Sequence, residues 1–219
     1  MIHIRKNHPL QHLNSFGITA YADAFVNLRS EEDIRELMHH PVFHENRHLI
    51  LGGGSNMLFT ENFRGLVIQP SITGIGITGE DDREVLVRVG AGMVWDDFVA
   101  WAVKKDYGGI ENLSAIPGSV GAAPIQNIGA YGVEVQEVIE KVEGYHLATQ
   151  TRQQYSRSEC AFGYRNSYFK TALKNKFLVS HVIFRLKKVP HRLITHYGTI
   201  EQELGTTGRS PAALREVVT

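Results

Sequence analysis

Cysteine occurs once in the 219 residues, at Cys160. One cysteine excludes an intrachain disulfide and removes the thiolate clusters that structural zinc usually requires, so a reducing compartment fits. An excess of either charge is also missing, with 23 Lys plus Arg against 23 Asp plus Glu. No overall field draws the chain to nucleic acid or to an anionic membrane, and any anion must be held by a local arrangement of donors. The opening segment MIHIRKNHPLQHLNSFG has no apolar signal-peptide core and no small-residue cleavage site. The longest uncharged stretch, Leu113 to Val133, is as long as a membrane helix, but Pro117, Gly118, Gly121, Pro124, Gln126, Asn127, Gly129 and Gly132 break it. It reads as a buried irregular loop, and the expectation is a cytoplasmic chain with no membrane insertion. The eleven histidines show no HExxH or comparable spacing, so no metal site is expected.

What is present is an ordinary globular balance, 42% hydrophobic and 21% charged, without repeats or low-complexity tracts. Ser30 and Asp33 form a capping-box signal ahead of Ile34, Leu37 and Met38, which predicts an amphipathic helix of about three turns stopped by Pro41. His48 to Leu51 is a short apolar strand running into Gly52-Gly53-Gly54-Ser55-Asn56. Leu66 to Ile68 and the alternating run Glu84 to Val89 are further strands, and Gly90-Ala91-Gly92 ends the second. Val94, Trp95, Phe98, Trp101 and Ala102 recur at helical spacing up to a stop at Tyr107-Gly108-Gly109. Glu140 to His146 and Phe177 to Leu186 are strand-like. The pattern predicts an α+β chain of two subdomains, residues 1–70 and 71–219, meeting near Pro70 to Gly79. At the end, Ser210 and Pro211 start a helix whose apolar stripe, Leu214, Val217 and Val218, has only begun when the sequence stops at Thr219. That predicts a chain cut from something longer.

Two loops carry candidate chemistry. Gly52 to Asn56 follows a buried strand, and glycines there let several backbone N–H groups converge on a phosphate without a basic side chain. No Lys-Ser/Thr follows, so it is no Walker loop, and Met57 stands where a Rossmann loop has its third glycine. On its own the loop serves equally as a tight turn. The second loop, Ile116 to Gly132, is long, uncharged and rich in small residues, which suits close approach of a flat ligand to backbone.

In order along the chain, GGGSNMLF, RGLVI, VGAG, ENLSAIPGSVGAAPIQNIGAYGVE and ECAFGYRNSYFK resemble the UDP-N-acetylenolpyruvoylglucosamine reductases, over nearly the whole length from Asn14 onward. The resemblance implies an FAD-binding fold of the vanillyl-alcohol-oxidase-like type, with two α+β subdomains holding the cofactor between them. It also implies that NADPH reduces the flavin and that the flavin then reduces UDP-N-acetylglucosamine enolpyruvate to UDP-N-acetylmuramate, a step of peptidoglycan precursor synthesis. By motif, Gly52, Gly53, Gly54, Ser55 and Asn56 are expected at the FAD pyrophosphate, and Ser119, Gly121, Ile125, Ile128 and Gly129 in the block lining the flavin. Arg165 matches the family arginine that binds the substrate carboxylate, where a guanidinium suits a bidentate anion. Tyr197, in THYG, resembles the tyrosine of a mobile loop that closes over the UDP-sugar in one class of these enzymes. Cys160 reads as a small buried residue without redox role.

The resemblance stops short at the C-terminus. The family has a third, substrate-binding domain, carrying a serine that protonates the enol intermediate and a late glutamate, and neither motif occurs here. The chain is therefore expected to retain mainly the FAD-binding part, to be a poor catalyst by itself, and to expose apolar surface where a further domain would pack. The alternatives are another flavoprotein oxidoreductase of the same fold, or a noncatalytic FAD-binding fragment. Sequence leaves the oligomeric state open.

Overall fold

The computed structural model describes residues 1–205 and 210–219. The first third of the chain builds a four-stranded mixed sheet from β1 (Ile4–Pro9), β2 (Tyr21–Leu28), β3 (His48–Ile50) and β4 (Phe63–Pro70), in the order β1-β2-β4-β3. β1 runs antiparallel to β2, while β2 and β3 both run parallel to β4. Leu66, Val67 and Ile68 are wholly buried because β4 has a strand on each edge and packing on both faces.

Between β2 and β3 lies α1 (Glu31–His39). Its start has a complete capping box: Ser30 Oγ accepts from Asp33 N at 3.0 Å and the Asp33 carboxylate accepts from Ser30 N at 3.2 Å. Ile34, Leu37 and Met38 pack on Val26, Leu28, Leu66 and Ile68. Pro41 ends α1 as expected but also opens a second short helix, α2 (Pro41–Glu45), since its fixed φ suits a first helical turn as well as it forbids an interior one.

The second sheet is wholly antiparallel. It comprises β5 (Ile75–Glu80) and β6 (Glu84–Gly90), followed after α3 (Trp95–Lys104) and a small hairpin, β7 (Gly129–Ala130) and β8 (Val133–Glu134), by β9 (Ile139–His146), β10 (Thr151–Ser156) and β11 (Phe177–Lys187). The hairpin forms its own two-stranded sheet, and the order of the large one is β10-β9-β11-β6-β5. β6 alternates as its sequence does, with Val85, Val87 and Val89 fully buried. They pack with Trp95, Phe98 and Phe184 beneath α3, where the Phe98 and Phe184 rings lie 4.7 Å apart. From the opposite face of the sheet, Tyr145 and Leu178 join Ile34, Leu37 and Met38, so one core cluster spans both sheets.

A polar network seals the same junction. Glu31, at the start of α1, accepts from Arg88 Nη2 of β6 at 3.0 Å and from the Tyr145 hydroxyl of β9 at 3.0 Å. Arg88 Nε and Arg152 Nη2 both reach the buried Glu143 carboxylate, at 2.8 and 3.1 Å. Burial pushes the Glu31 carboxyl up, but the Tyr145 hydroxyl, Arg152, His181 and Arg88 outweigh it and hold it below the ordinary glutamate range.

Several expectations shift in detail. α3 starts at Trp95, with Val94 half exposed as its N-cap, and ends at Lys104, short of the Gly108-Gly109 stop. Asp106 takes the left-handed conformation (φ 57°) there, and Gly108 is free to bridge to Lys187. The stretch 113–133 is not wholly irregular, since it holds a 3-10 turn at Val120–Ala122 and strand β7. The stripe of the last helix, α5 (Pro211–Val218), is covered: Leu214 and Val218 pack on Ile200 and Leu204 of α4 (Ile200–Leu204).

Candidate functional site

The glycine loop after β3 and the loop after α3 meet face to face. A Cβ built on Gly52 would lie 2.9 Å from Ser119 Oγ, and one on Gly53 would lie 3.3 Å from Gly118 Cα. Gly118 itself adopts φ 126°, and a Cβ there would lie 3.3 Å from Ser55 Oγ. Only glycine allows this approach of two backbones. Ser55 Oγ donates to Pro117 O at 3.3 Å, and Asn56 Nδ2 to Gln126 Oε1 at 3.3 Å.

Each loop is anchored from behind. Behind the first, Asn14 Nδ2 donates to Leu10 O and Ile18 O while its Oδ1 accepts from Ile18 N. This holds the NSFG turn so that Ser15 N reaches Gly54 O at 3.3 Å. The second loop pairs with the segment between β6 and α3 and the first residue of α3: Trp95 N donates to Gly118 O, Val120 N to Met93 O and Gly121 N to Ala91 O. Asp96 accepts from Ala115 N at 2.7 Å, fixing a residue at φ 57°. The Arg215 guanidinium, from α5, grips the same carboxylate with two nitrogens at 2.7 Å each, and this hydrogen bonding holds Asp96 below its usual carboxylate range.

Between the loops opens a cleft of about 460 Å³, within the size range of small-molecule and cofactor sites. Gly52 to Asn56, Ser119, Gly121, Ile125 and Ile128 all line it. Trp95, Phe177 and Val179 supply apolar wall, and among the described residues the only charged lining residues are Lys170 and Lys174. A cationic pair in a mostly apolar cleft walled by glycine-rich backbone suits an anionic, flat ligand. The glycine loop, packed so closely that a Cβ on Gly52 or Gly54 would press on Ser119 or Leu13, has no side chain at its three glycines, which suits a nucleotide pyrophosphate.

Three of the residues singled out from sequence lie outside that lining. Gly129, in β7, accepts from Arg165 Nη2 at 3.3 Å through its carbonyl oxygen. Arg165 is exposed, at φ 51° on the tip of a tight turn closed by reciprocal Gly163–Asn166 backbone bonds of 3.1 and 3.0 Å. Tyr197 is half exposed, with its ring edge-on to Tyr131 at 6.1 Å. The buried Asn112 draws these segments together, donating to Tyr131 O and Ile194 O. Arg165 and Tyr197 thus flank the same β7–β8 hairpin.

No role was read for Lys170, the last residue of ECAFGYRNSYFK, or for Lys174, because a lysine by itself carries no signal beyond a solvated surface. It also passed over Asn127, wholly buried at φ 47°, which donates to Glu134 and Gly163 O and accepts from Gln136 N. An Asn in a glycine-rich run is a left-handed turn signal that was available. Glu31, Glu143 and His181 present ligand atoms within 4.8 Å of one another, but Arg88 already bonds all three, so the charge balance is met by guanidinium. Among the described residues no helix is long and apolar enough to cross a membrane.

Two sheets joined by a cleft between glycine loops define the class: an α+β module for a nucleotide cofactor. The chain belongs to the family of FAD binding domains, whose model matches residues 22–151. It is similar to the UDP-N-acetylenolpyruvoylglucosamine reductase of Amoebophilus asiaticus, 44% identical over 93% of this chain and 60% of that protein. It is likewise similar to that of Flavobacterium johnsoniae, 40% identical over 98% of this chain and 63% of that protein. The chain therefore spans about three fifths of the length of these relatives. Among solved structures, UDP-N-acetylenolpyruvylglucosamine reductase from Thermus caldophilus superposes with a TM-score of 0.66 at 24% identity, over 87% of this chain and 64% of that one. A solvent-stable cholesterol oxidase gives 0.63 at 12% identity, over 85% and 38%. These two likenesses show that the fold is shared.

Proposed function

We propose that the cleft holds FAD and that the chain forms the flavin-binding part of an NADPH-dependent UDP-N-acetylenolpyruvoylglucosamine reductase, acting in the cytoplasm on a peptidoglycan precursor. The observation that carries the reading is the cleft itself, glycine-walled, mostly apolar, and charged, among the described residues, by two lysines in a chain of zero net charge. The 40–44% identity to reductases of this name over most of the chain supports the particular substrate.

On this reading the loop Gly52 to Asn56 binds the pyrophosphate through its backbone N–H groups, while Ser119, Gly121, Ile125 and Ile128 belong to the wall against the isoalloxazine and Gly129, outside the lining, is the backbone contact of Arg165. Bound FAD supplies the hydride relay between NADPH and the enolpyruvyl group. Arg165 holds the substrate carboxylate and stabilises the charge that builds as hydride reaches the neighbouring carbon, and Tyr197 closes over the UDP-sugar. The division into residues 1–70 and 71–219 then corresponds to two lobes with the cofactor between them. No side chain of this chain is assigned as proton donor to the enol intermediate.

The test is anaerobic stopped-flow absorbance of the FAD-loaded chain, mixed first with NADPH and then with UDP-N-acetylglucosamine enolpyruvate. Bleaching by NADPH supports the flavin assignment, and reoxidation by the sugar supports the substrate assignment. Failure to bind FAD at all overturns both.

A further inference from the structure

Lys170 occupies two places at once. It lines the cleft, and its Nζ donates to the carbonyl oxygen of Arg165 at 2.8 Å. That carbonyl belongs to a residue held in the left-handed region, a conformation costly for a side chain as large as arginine and kept only where the surroundings over-determine it. The reciprocal Gly163–Asn166 bonds close the turn, Ser167 Oγ donates to Ile125 O at 2.6 Å and so pins the next residue to the cleft wall, and Ser167 caps the short 3-10 turn that carries Lys170. One residue along from Ile125, Gln126 meets Asn56 of the glycine loop. A continuous run of contacts therefore links the glycine loop, the cleft wall and the Arg165 turn, and Lys170 is its cationic member.

An ammonium has three N–H donors, and among the described residues Lys170 spends one, on Arg165. We infer that Lys170 is a positioning residue: its remaining donors bind an anionic oxygen of the flavin nucleotide in the cleft, and the shared ammonium makes cofactor occupancy fix the turn that presents Arg165. The inference rests on the reading that FAD occupies this cleft. Its consequence is that cofactor occupancy stiffens a turn already formed without it, so that the carboxylate-binding arginine is held more firmly once the cofactor is in place. Lys174 lines the same cleft with the same charge but makes no bond to Arg165, and so separates a purely electrostatic contribution from the positioning one.

Cleavage by an arginine-specific protease at the Arg165–Asn166 bond, followed by mass spectrometry with and without FAD, reads the turn directly. Flavin-fluorescence titration reads affinity independently. In the wild type, saturating FAD slows that cleavage, while cleavage after Arg83, far from the cleft, is unchanged. Lys170→Met weakens FAD binding about tenfold, the worth of a charge-assisted hydrogen bond, and abolishes the protection even at saturation. Lys170→Arg restores protection, and Lys174→Met weakens binding but keeps protection once FAD is saturating. Equal protection in Lys170→Met and the wild type overturns the positioning role while leaving the cofactor assignment standing. A wild type that binds no FAD brings down the cofactor assignment itself, and this inference with it.

Discussion

Gly54 lies so close to Leu13 that a Cβ built on it would sit 1.9 Å from the Leu13 carbonyl oxygen and 2.6 Å from its carbonyl carbon. Its φ of 69° adds a backbone conformation that L side chains rarely adopt. The glycine loop is thereby locked to the NSFG turn, with no space for a side chain of any size.

Gly54→Ala therefore destabilises the chain by about 2 kcal/mol or more, from strain and overpacking together, and weakens FAD binding because the loop must move off Leu13. Gly76→Ala is the control, since nothing lies within 4 Å of its Cβ position and its φ is unstrained. Urea unfolding and flavin titration of both variants check this, and equal stability of the two contradicts it.

Arg215 holds Asp96 with two 2.7 Å bonds, and Asp96 in turn holds Ala115, two residues before the cleft-lining Pro117. The last helix is thus wired to the second loop. Arg215→Met and Asp96→Asn each loosen both, and a double-mutant cycle gives a coupling of about 1 kcal/mol, as for a well-formed, partly exposed pair. Hydrogen exchange at residues 114–118 rises in either single variant. Independent, additive effects with unchanged exchange would show that α5 is merely adjacent.

Trp95 is fully buried at the head of α3, donates Nε1–H to Leu113 O at 2.7 Å, and lines the cleft. Trp95→Phe leaves that carbonyl without its donor, at a cost of about 1–3 kcal/mol. A tryptophan at the cleft wall also reports occupancy. FAD quenches the intrinsic fluorescence of the wild type and does so much less in Trp95→Phe, where Trp101 alone remains; an unchanged quench places the flavin elsewhere.

How far the sequence could be read follows from where each signal resides. The Ser30–Asp33 box and the alternation of Glu84 to Val89 are local and were legible, because capping and burial periodicity act within one element. β1, β5 and β10 were not. Each lies at the edge of a sheet, and IRKNHP, IGITGE and TRQQYS are mostly solvent-facing runs whose strand state comes from the neighbour that pairs with them. The glycine loops announced themselves by composition. The charge on their cleft did not, since Lys170 and Lys174 reach it only after the chain has turned back through Ser167 and Ile125. The Glu31 network was out of reach for the same reason, joining α1 to four strands more than fifty residues onward.

That network makes stability fall in two stages on acidification. His181 is held below its ordinary 6.5, first by burial and then by Arg88, with Glu31 and Glu143 opposing and Arg152 adding to the shift. The folded chain then binds fewer protons at this ring than the unfolded chain does, so stability is full above about pH 6.5 and declines as pH drops from there toward the lower folded value. His8, lowered by burial and by Arg5, adds to the same window. Glu31 and Asp96 are held below their ordinary 4.5 and 3.8, so their contribution is present above those values and is lost as pH falls through the folded ones. Asp81, Glu84 and Glu159 share this lower window. Urea midpoints measured from pH 8 to pH 3 should be level to about 6.5, sag, and then drop again below about 4.5. His181→Asn removes most of the sag while leaving the later drop, and Glu31→Gln lowers stability at neutral pH while flattening the drop. A sag of the same depth in His181→Asn assigns it to other histidines and removes the α1 junction from the account.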